Sequence, residues 1–145
     1  MQTKTAPRTH GSETFTNGIR VQVSPTFLTA QSDPSAGKYL FAYNIVITNE
    51  RDETLTLRRR HWVIVDADGE RHDVRGQGVV GQQPVLASGQ RFEYASFCPL
   101  PTAWGTMEGT YEFEREDGSS FTADISRFYL VSSRSTSAKP VTAVD

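Results

Sequence analysis

Six residues, Gly76-Gln77-Gly78-Val79-Val80-Gly81, match the spacing G-x-G-x-x-G with which a glycine-rich turn brings backbone N–H groups against a pyrophosphate. That chemistry needs a helix to begin right after the glycines, its N-terminus aimed at the anion. Val79, Val80 and Pro84 disfavour a helix here, and no Gly-Lys-Ser/Thr follows to make a P-loop. A dinucleotide fold is excluded. A helix-free option stays open. Amides turned inward around Gly76, Gly78 and Gly81 would form an anion nest, with Arg71 and Arg75 adding charge for a phosphate or pyrophosphate. The preferred reading is plainer: the glycines let the chain cross between sheets.

Asp66, Asp68, Glu70, His72 and Asp73 are the densest set of metal-ligand types. An EF-hand counted from Asp66 would need Gly at its sixth position and Glu at its twelfth, where Arg71 and Gln77 stand. No metal site is therefore assigned. The segment reads better as a hairpin with a type I′ turn at Asp68-Gly69. In that register Asp66 faces Arg71 and Val65 faces His72, so that opposite charges pair across the strands.

Arg58, Arg59 and Arg60 lead into His61-Trp62, and a basic stretch beside an aromatic can hold phosphates or stack on a base. Strand alternation sends Trp62 inward if Arg59 and His61 face water, and arginines at a strand edge also discourage aggregation. Arg59, Arg60 and His61 are the candidates for an interaction surface. Cys98, in Phe97-Cys98-Pro99, would need a base such as His61 or His72 to act as a nucleophile. A buried structural thiol is the expectation.

The elements that must carry these residues have a period of two. Tyr39, Phe41, Tyr43, Ile45 and Ile47 occupy one face; Leu40, Ala42, Asn44, Val46 and Thr48 occupy the other. Shorter runs of the same kind lie at Ile19 to Val23, Thr54 to Leu57, Trp62 to Val65, Phe92 to Phe97, Gly109 to Phe113 and Ser120 to Ile125. Turn signals separate them at Asp33-Pro34, Asn49 to Asp52, Asp68-Gly69, Ser88-Gly89 and Asp117-Gly118. No stretch sustains helical spacing, so any helix should be a single turn. About seven short strands predict an all-β sandwich. A single cysteine cannot supply the Cys…Trp…Cys pattern of immunoglobulin domains, so a fibronectin type III-like sandwich fits better.

The chain has 145 residues, a length that suits one domain. Residues 1–16 and 132–145 are polar and aperiodic and read as flexible tails around a core of residues 17–131. A net charge of -2 gives no basic field for nucleic acid or an anionic membrane. No apolar run spans a bilayer, and no secretory leader is expected at the N-terminus. With Cys98 the only cysteine, a reducing, cytoplasmic setting is expected.

Several segments together resemble the bacterial ApaG family: Gln31-Ser32-Asp33-Pro34, Phe41-Ala42-Tyr43, Arg60-His61-Trp62, Asp66-Ala67-Asp68-Gly69, Val74 to Leu86, Cys98-Pro99-Leu100 and Gly105-Thr106-Met107. The resemblance covers roughly Gly18 to Leu130. It implies a fibronectin type III-like sandwich, related to domains of an F-box protein and a polymerase-delta-interacting protein that are thought to serve in protein interaction. It also implies a link to cobalt and magnesium resistance, under which bacterial members are called Co²⁺/Mg²⁺ efflux proteins. For a chain without a membrane span that link can only be indirect.

The expected function is a non-enzymatic, cytosolic interaction domain without a cofactor, acting on a protein partner that the sequence does not identify. The alternatives are a sensor of a pyrophosphate-containing ligand at the glycine loop and a divalent-metal-binding protein.

Overall fold

The alternation of Tyr39 to Thr48 sets the centre of the fold. In the structure, a computed structural model that describes residues 10–132, Phe41, Tyr43, Ile45 and Ile47 are all buried on one face of their strand. Nine strands are formed among the described residues: β1 (Ser12–Thr16), β2 (Ile19–Phe27), β3 (Tyr39–Asn49), β4 (Leu55–Asp66), β5 (Arg71–Gln77), β6 (Val85–Leu86), β7 (Arg91–Leu100), β8 (Trp104–Arg115) and β9 (Ser120–Val131). The helices are single 3₁₀ turns at Thr29–Gln31 and Pro34–Ala36.

Two antiparallel sheets face each other. One has the order β1-β2-β3-β7 and the other β5-β4-β8-β9, with β6 paired to the start of β4 beyond the end of β5. The inward residues of both sheets, among them Ile19, Val21, Leu57, Trp62, Tyr111, Phe113, Phe128 and Leu130, form one apolar core. Burying such side chains contributes roughly 1.5–3 kcal/mol each before conformational entropy is counted.

The sandwich has one sewn edge and one open edge. At the sewn edge, β1 lies against β9. Ser12 Oγ donates to the Ser126 carbonyl at 2.9 Å, Asp124 N donates to Thr16 Oγ1 at 2.8 Å, and the Thr14 and Ser126 hydroxyls touch. At the other edge stand β5 and β7, which are the outer strands of their sheets.

Three expectations change. Ser12–Thr16, read as tail, is a strand paired residue for residue with β2, so the folded part begins before Asn17. Five residues, Ser-Glu-Thr-Phe-Thr, are too short and polar to register as a strand until β2 and β9 receive them. Residues 1–9 and 133–145 of the expected tails lie outside the described residues. The runs read at Thr54–Leu57 and Trp62–Val65 fall in one strand, which begins at Leu55; a β-bulge between Leu57 and Arg59 inserts Arg58 and resets the alternation between them.

The third change is the register after Asp66. The turn has three residues, Ala67-Asp68-Gly69. Gly69 N donates to the Asp66 carbonyl at 3.0 Å, Asp66 N donates to the Glu70 carbonyl at 3.1 Å, and only Gly69 has positive φ, at 83°. That is a type I turn with a left-handed glycine, not type I′. Val65 therefore pairs with Arg71 and Ile64 with His72. Asp66 does not face Arg71; its Oδ1 accepts from Asp68 N and Glu70 N and caps its own turn. A one-residue slip exchanges the faces of the whole strand. Arg71, Asp73, Arg75 and Gln77 thus face outward, while His72, Val74 and Gly76 face the other sheet.

Candidate functional site

Pairing between β4 and β5 brings the two candidate groups together, since Arg59 stands opposite Gln77, Arg60 opposite Gly76 and His61 opposite Arg75. On the outer face, Arg59, His61, Arg75 and Gln77 join Thr110, Glu112 and Thr122 around a hollow of about 420 Å³, which Arg60 and Gly76 also border. Its basic side chains have acidic neighbours. Arg59 meets Glu112 at 3.2 Å, His61 Nε2 meets Asp73 at 2.8 Å, and Arg75 lies 3.9 Å from Asp73. Arg71 is farther along the strand, bound to Asp73 at 2.8 Å. Hydrogen bonds from Arg71 and His61 hold the Asp73 carboxyl well below the usual carboxylate range. This face is a solvated ion-pair network in which three arginines share two carboxylates, Glu112 and Asp73.

The glycine loop is occupied by its own backbone. Gly78 N donates to the Arg58 carbonyl at 2.8 Å and Val79 N to the Gln82 carbonyl at 2.8 Å, which removes two of the amides an anion nest would need. Gly78 has φ 62°, and a Cβ there would overlap the Gln82 carbonyl. Gly76 serves a different neighbour: a Cβ at this position would meet the Arg60 guanidinium at 2.7 Å. Val79 to Gln82 forms a tight turn in which both Val80 (φ 43°) and Gly81 (φ 79°) are left-handed, the geometry of type I′. Valine is β-branched and poorly suited to that region, so the turn holds strain at its tip.

Arg60 separates from its two neighbours. After the bulge at Arg58 it shares the inward face with Trp62, half-buried beneath the glycine loop. Its Nη1 donates to the Gln77 carbonyl at 3.0 Å and the Gly78 carbonyl at 2.9 Å. No carboxylate pairs with it among the described residues. Around it the open edge forms two adjoining hollows that share Tyr43, Arg60, Trp62 and Ser96. The smaller, of about 150 Å³, is closed by Tyr94 and Val79-Val80-Gly81. The larger, of about 490 Å³, runs along Ile64, Val74, Phe97, Cys98, Leu100 and Met107.

Three large apolar side chains stand exposed on the rim of this cleft: Val74 at 40%, Val80 at 49% and Phe97 at 63%. Cys98 is buried in its wall, and desolvation pushes its thiol up to about 11. The acidic residues of the Asp66 to Asp73 segment do not converge, and no group of three or more His, Cys, Asp or Glu side chains gathers among the described residues. Tyr43, Tyr94 and Ser96 were not singled out as site residues from sequence. The usable signal was the step of two from Trp62 back to Arg60, which places both on one face.

Comparison with known proteins agrees over most of the chain. The family signature described as the ApaG domain matches residues 29–115. A Protein ApaG of Rhodopseudomonas palustris (strain TIE-1) is 51% identical over 115 residues, covering 79% of this chain and 88% of its own length. A Protein ApaG of Anaeromyxobacter dehalogenans (strain 2CP-C) is 49% identical over 120 residues, 83% of this chain and 94% of its own. Among solved structures, an ApaA protein from Bordetella pertussis superposes with a TM-score of 0.78 at 47% identity, covering 81% of this chain and 95% of that one. The C-terminal domain of Wzt, at 10% identity and a TM-score of 0.52, covers 90% of this chain and 80% of that domain, and shares the fold alone. On the matched domain and the identity of these relatives, the chain belongs to the ApaG family.

Proposed function

We propose that this chain is a non-enzymatic binding domain that engages a protein partner through the rim of its open edge. The observation that carries the reading is the gathering of exposed Val74, Val80 and Phe97 around one cleft, where scattered apolar side chains would mean nothing. A strained turn that holds Val80 outward adds support, since such strain collects where a surface must be presented. Cys98 is poorly suited to nucleophilic work, with its thiol buried and its pKa raised. A free thiol kept in the core suits the reducing cytosol. No helix among the described residues is long and apolar enough to cross a membrane. A role in cobalt or magnesium resistance, implied by the family, would then run through the partner.

The test is affinity capture from cell extract with the wild type, with Phe97→Asp and Val80→Asp, and with Val85→Asp as an exposed control away from the cleft. The partner, once identified and purified, should bind the wild type and the control directly. Rim variants should bind at least tenfold more weakly, as for residues central to an interface. A partner held equally by all four chains would overturn the reading.

A further inference from the structure

We propose that the cleft between β5 and β7 binds a small amphipathic carboxylate, its head group on Arg60 and its aliphatic body along the hollow lined by Val74, Phe97 and Leu100. This site takes a small molecule and goes beyond the protein-binding reading. A guanidinium carries five N–H donors, and the two backbone carbonyls on Arg60 engage only Nη1. The Nε–Nη2 edge, the one that grips a carboxylate with two parallel bonds, has no partner among the described residues. A half-buried charge in this position gains by pairing.

The neighbours favour an anion and supply none. Tyr43 and Ser96 present hydroxyls, burial keeps the Tyr43 phenol protonated well beyond neutral pH, and Tyr94, whose own hydroxyl is bonded to Tyr111, walls the pocket. The head pocket of about 150 Å³ holds a carboxylate and a few waters, given roughly 30 Å³ for each water, and is too small for a nucleotide. One cation answers one negative charge. Arg75 faces the opposite side of the sheet, and His72, which shares Arg60's face, borders only the larger hollow, so within the head pocket a doubly charged phosphate meets Arg60 alone. The adjoining hollow of about 490 Å³ has His72 on its border and is otherwise walled chiefly by Ile64, Val74, Phe97, Cys98, Leu100 and Met107, a lining for a hydrocarbon body.

Trp62 borders both hollows and reports on them once Trp104, the other tryptophan, is removed. In the Trp104→Phe chain, decanoate below its micellar concentration should change Trp62 emission saturably. Decanol, which lacks the charge, and acetate, which lacks the body, should bind at least tenfold more weakly. Arg60→Gln should weaken decanoate at least tenfold and leave decanol unchanged. If losing the Arg60 bonds unfolds the loop, Val74→Glu at the exposed mouth keeps Arg60 and sets a carboxylate against the ligand, with the same loss expected. The proposal is overturned if decanoate gives no saturable change, if decanol or acetate equals it, or if the variant that folds binds decanoate like the parent. Any of these leaves the partner reading standing, since that rests on capture by the rim.

Discussion

The hydroxyls of Tyr94 and Tyr111 meet at 2.6 Å in the interior, joining β7 of one sheet to β8 of the other. Tyr111 is fully buried and Tyr94 nearly so, so each hydroxyl depends on the other. Either single change, Tyr94→Phe or Tyr111→Phe, should cost about 1–3 kcal/mol by stranding a buried polar group. The double substitution should cost clearly less than the two singles together, because it strands nothing. Urea denaturation of the four chains measures this coupling, and simple additivity would show that the bond contributes little.

Alkaline pH should destabilise the protein through this same region. Burial raises the phenols of Tyr43, Tyr94 and Tyr111 above 10.0, and the Cys98 thiol from 9.0 to about 11. Groups with raised folded values bind more protons in the folded state. Their stabilisation is whole below pH 9 and drains away as pH rises toward 11 and beyond. Melting temperature should hold level from pH 7 to 8.5 and fall above 9. Cys98→Ala should make the decline between pH 9 and 11 shallower by up to about 1.4 kcal/mol per pH unit, the contribution of one proton. An unchanged slope would mean that Cys98 opens to water before it titrates.

A chain trimmed to start at Asn17 loses β1 and with it the seam to β9. The side-chain bonds at Ser12, Thr14 and Thr16 and five residues of pairing with β2 go together. At about 1 kcal/mol for each bond, the loss should be at least about 2 kcal/mol. A melting temperature equal to that of the full chain would show the seam to be ornamental.

The sandwich was legible because β3 alternates without interruption, from Phe41 through Ile47. The site was not, because its geometry turns on two single-residue offsets. The bulge at Arg58 decides that Arg60, not Arg59, shares the inward face of Leu57. The three-residue turn at Ala67-Asp68-Gly69 decides that Gly76, not Gln77, stands opposite Arg60. Asp68-Gly69 suggests a two-residue turn, and the sequence around it alternates acceptably in either register. Packing decides between them. The slipped register puts Val74 against the apolar hollow and Asp73 beside His61. The glycine spacing leaves a pyrophosphate nest open beside the preferred plain connection, and in the fold Gly76 and Gly78 answer to the Arg60 side chain and the Gln82 carbonyl.

The Val80 turn should separate stability from binding. Type I′ turns favour Asn-Gly, and the chain carries Val80-Gly81 in that geometry. Val80→Asn keeps the turn and relieves a β-branched residue from the left-handed region, so it should stabilise the protein by roughly 1 kcal/mol and raise its melting temperature by a few degrees. The same change removes an exposed apolar side chain from the rim of the cleft and should weaken capture of the protein partner. A valine selected for the surface it presents predicts this opposition, since a turn selected for stability alone would have no use for it. Thermal melts and partner binding of the one variant test both halves. A chain that is stabilised and binds unchanged removes Val80 from the interface, and one that is not stabilised shows that the turn carries no strain.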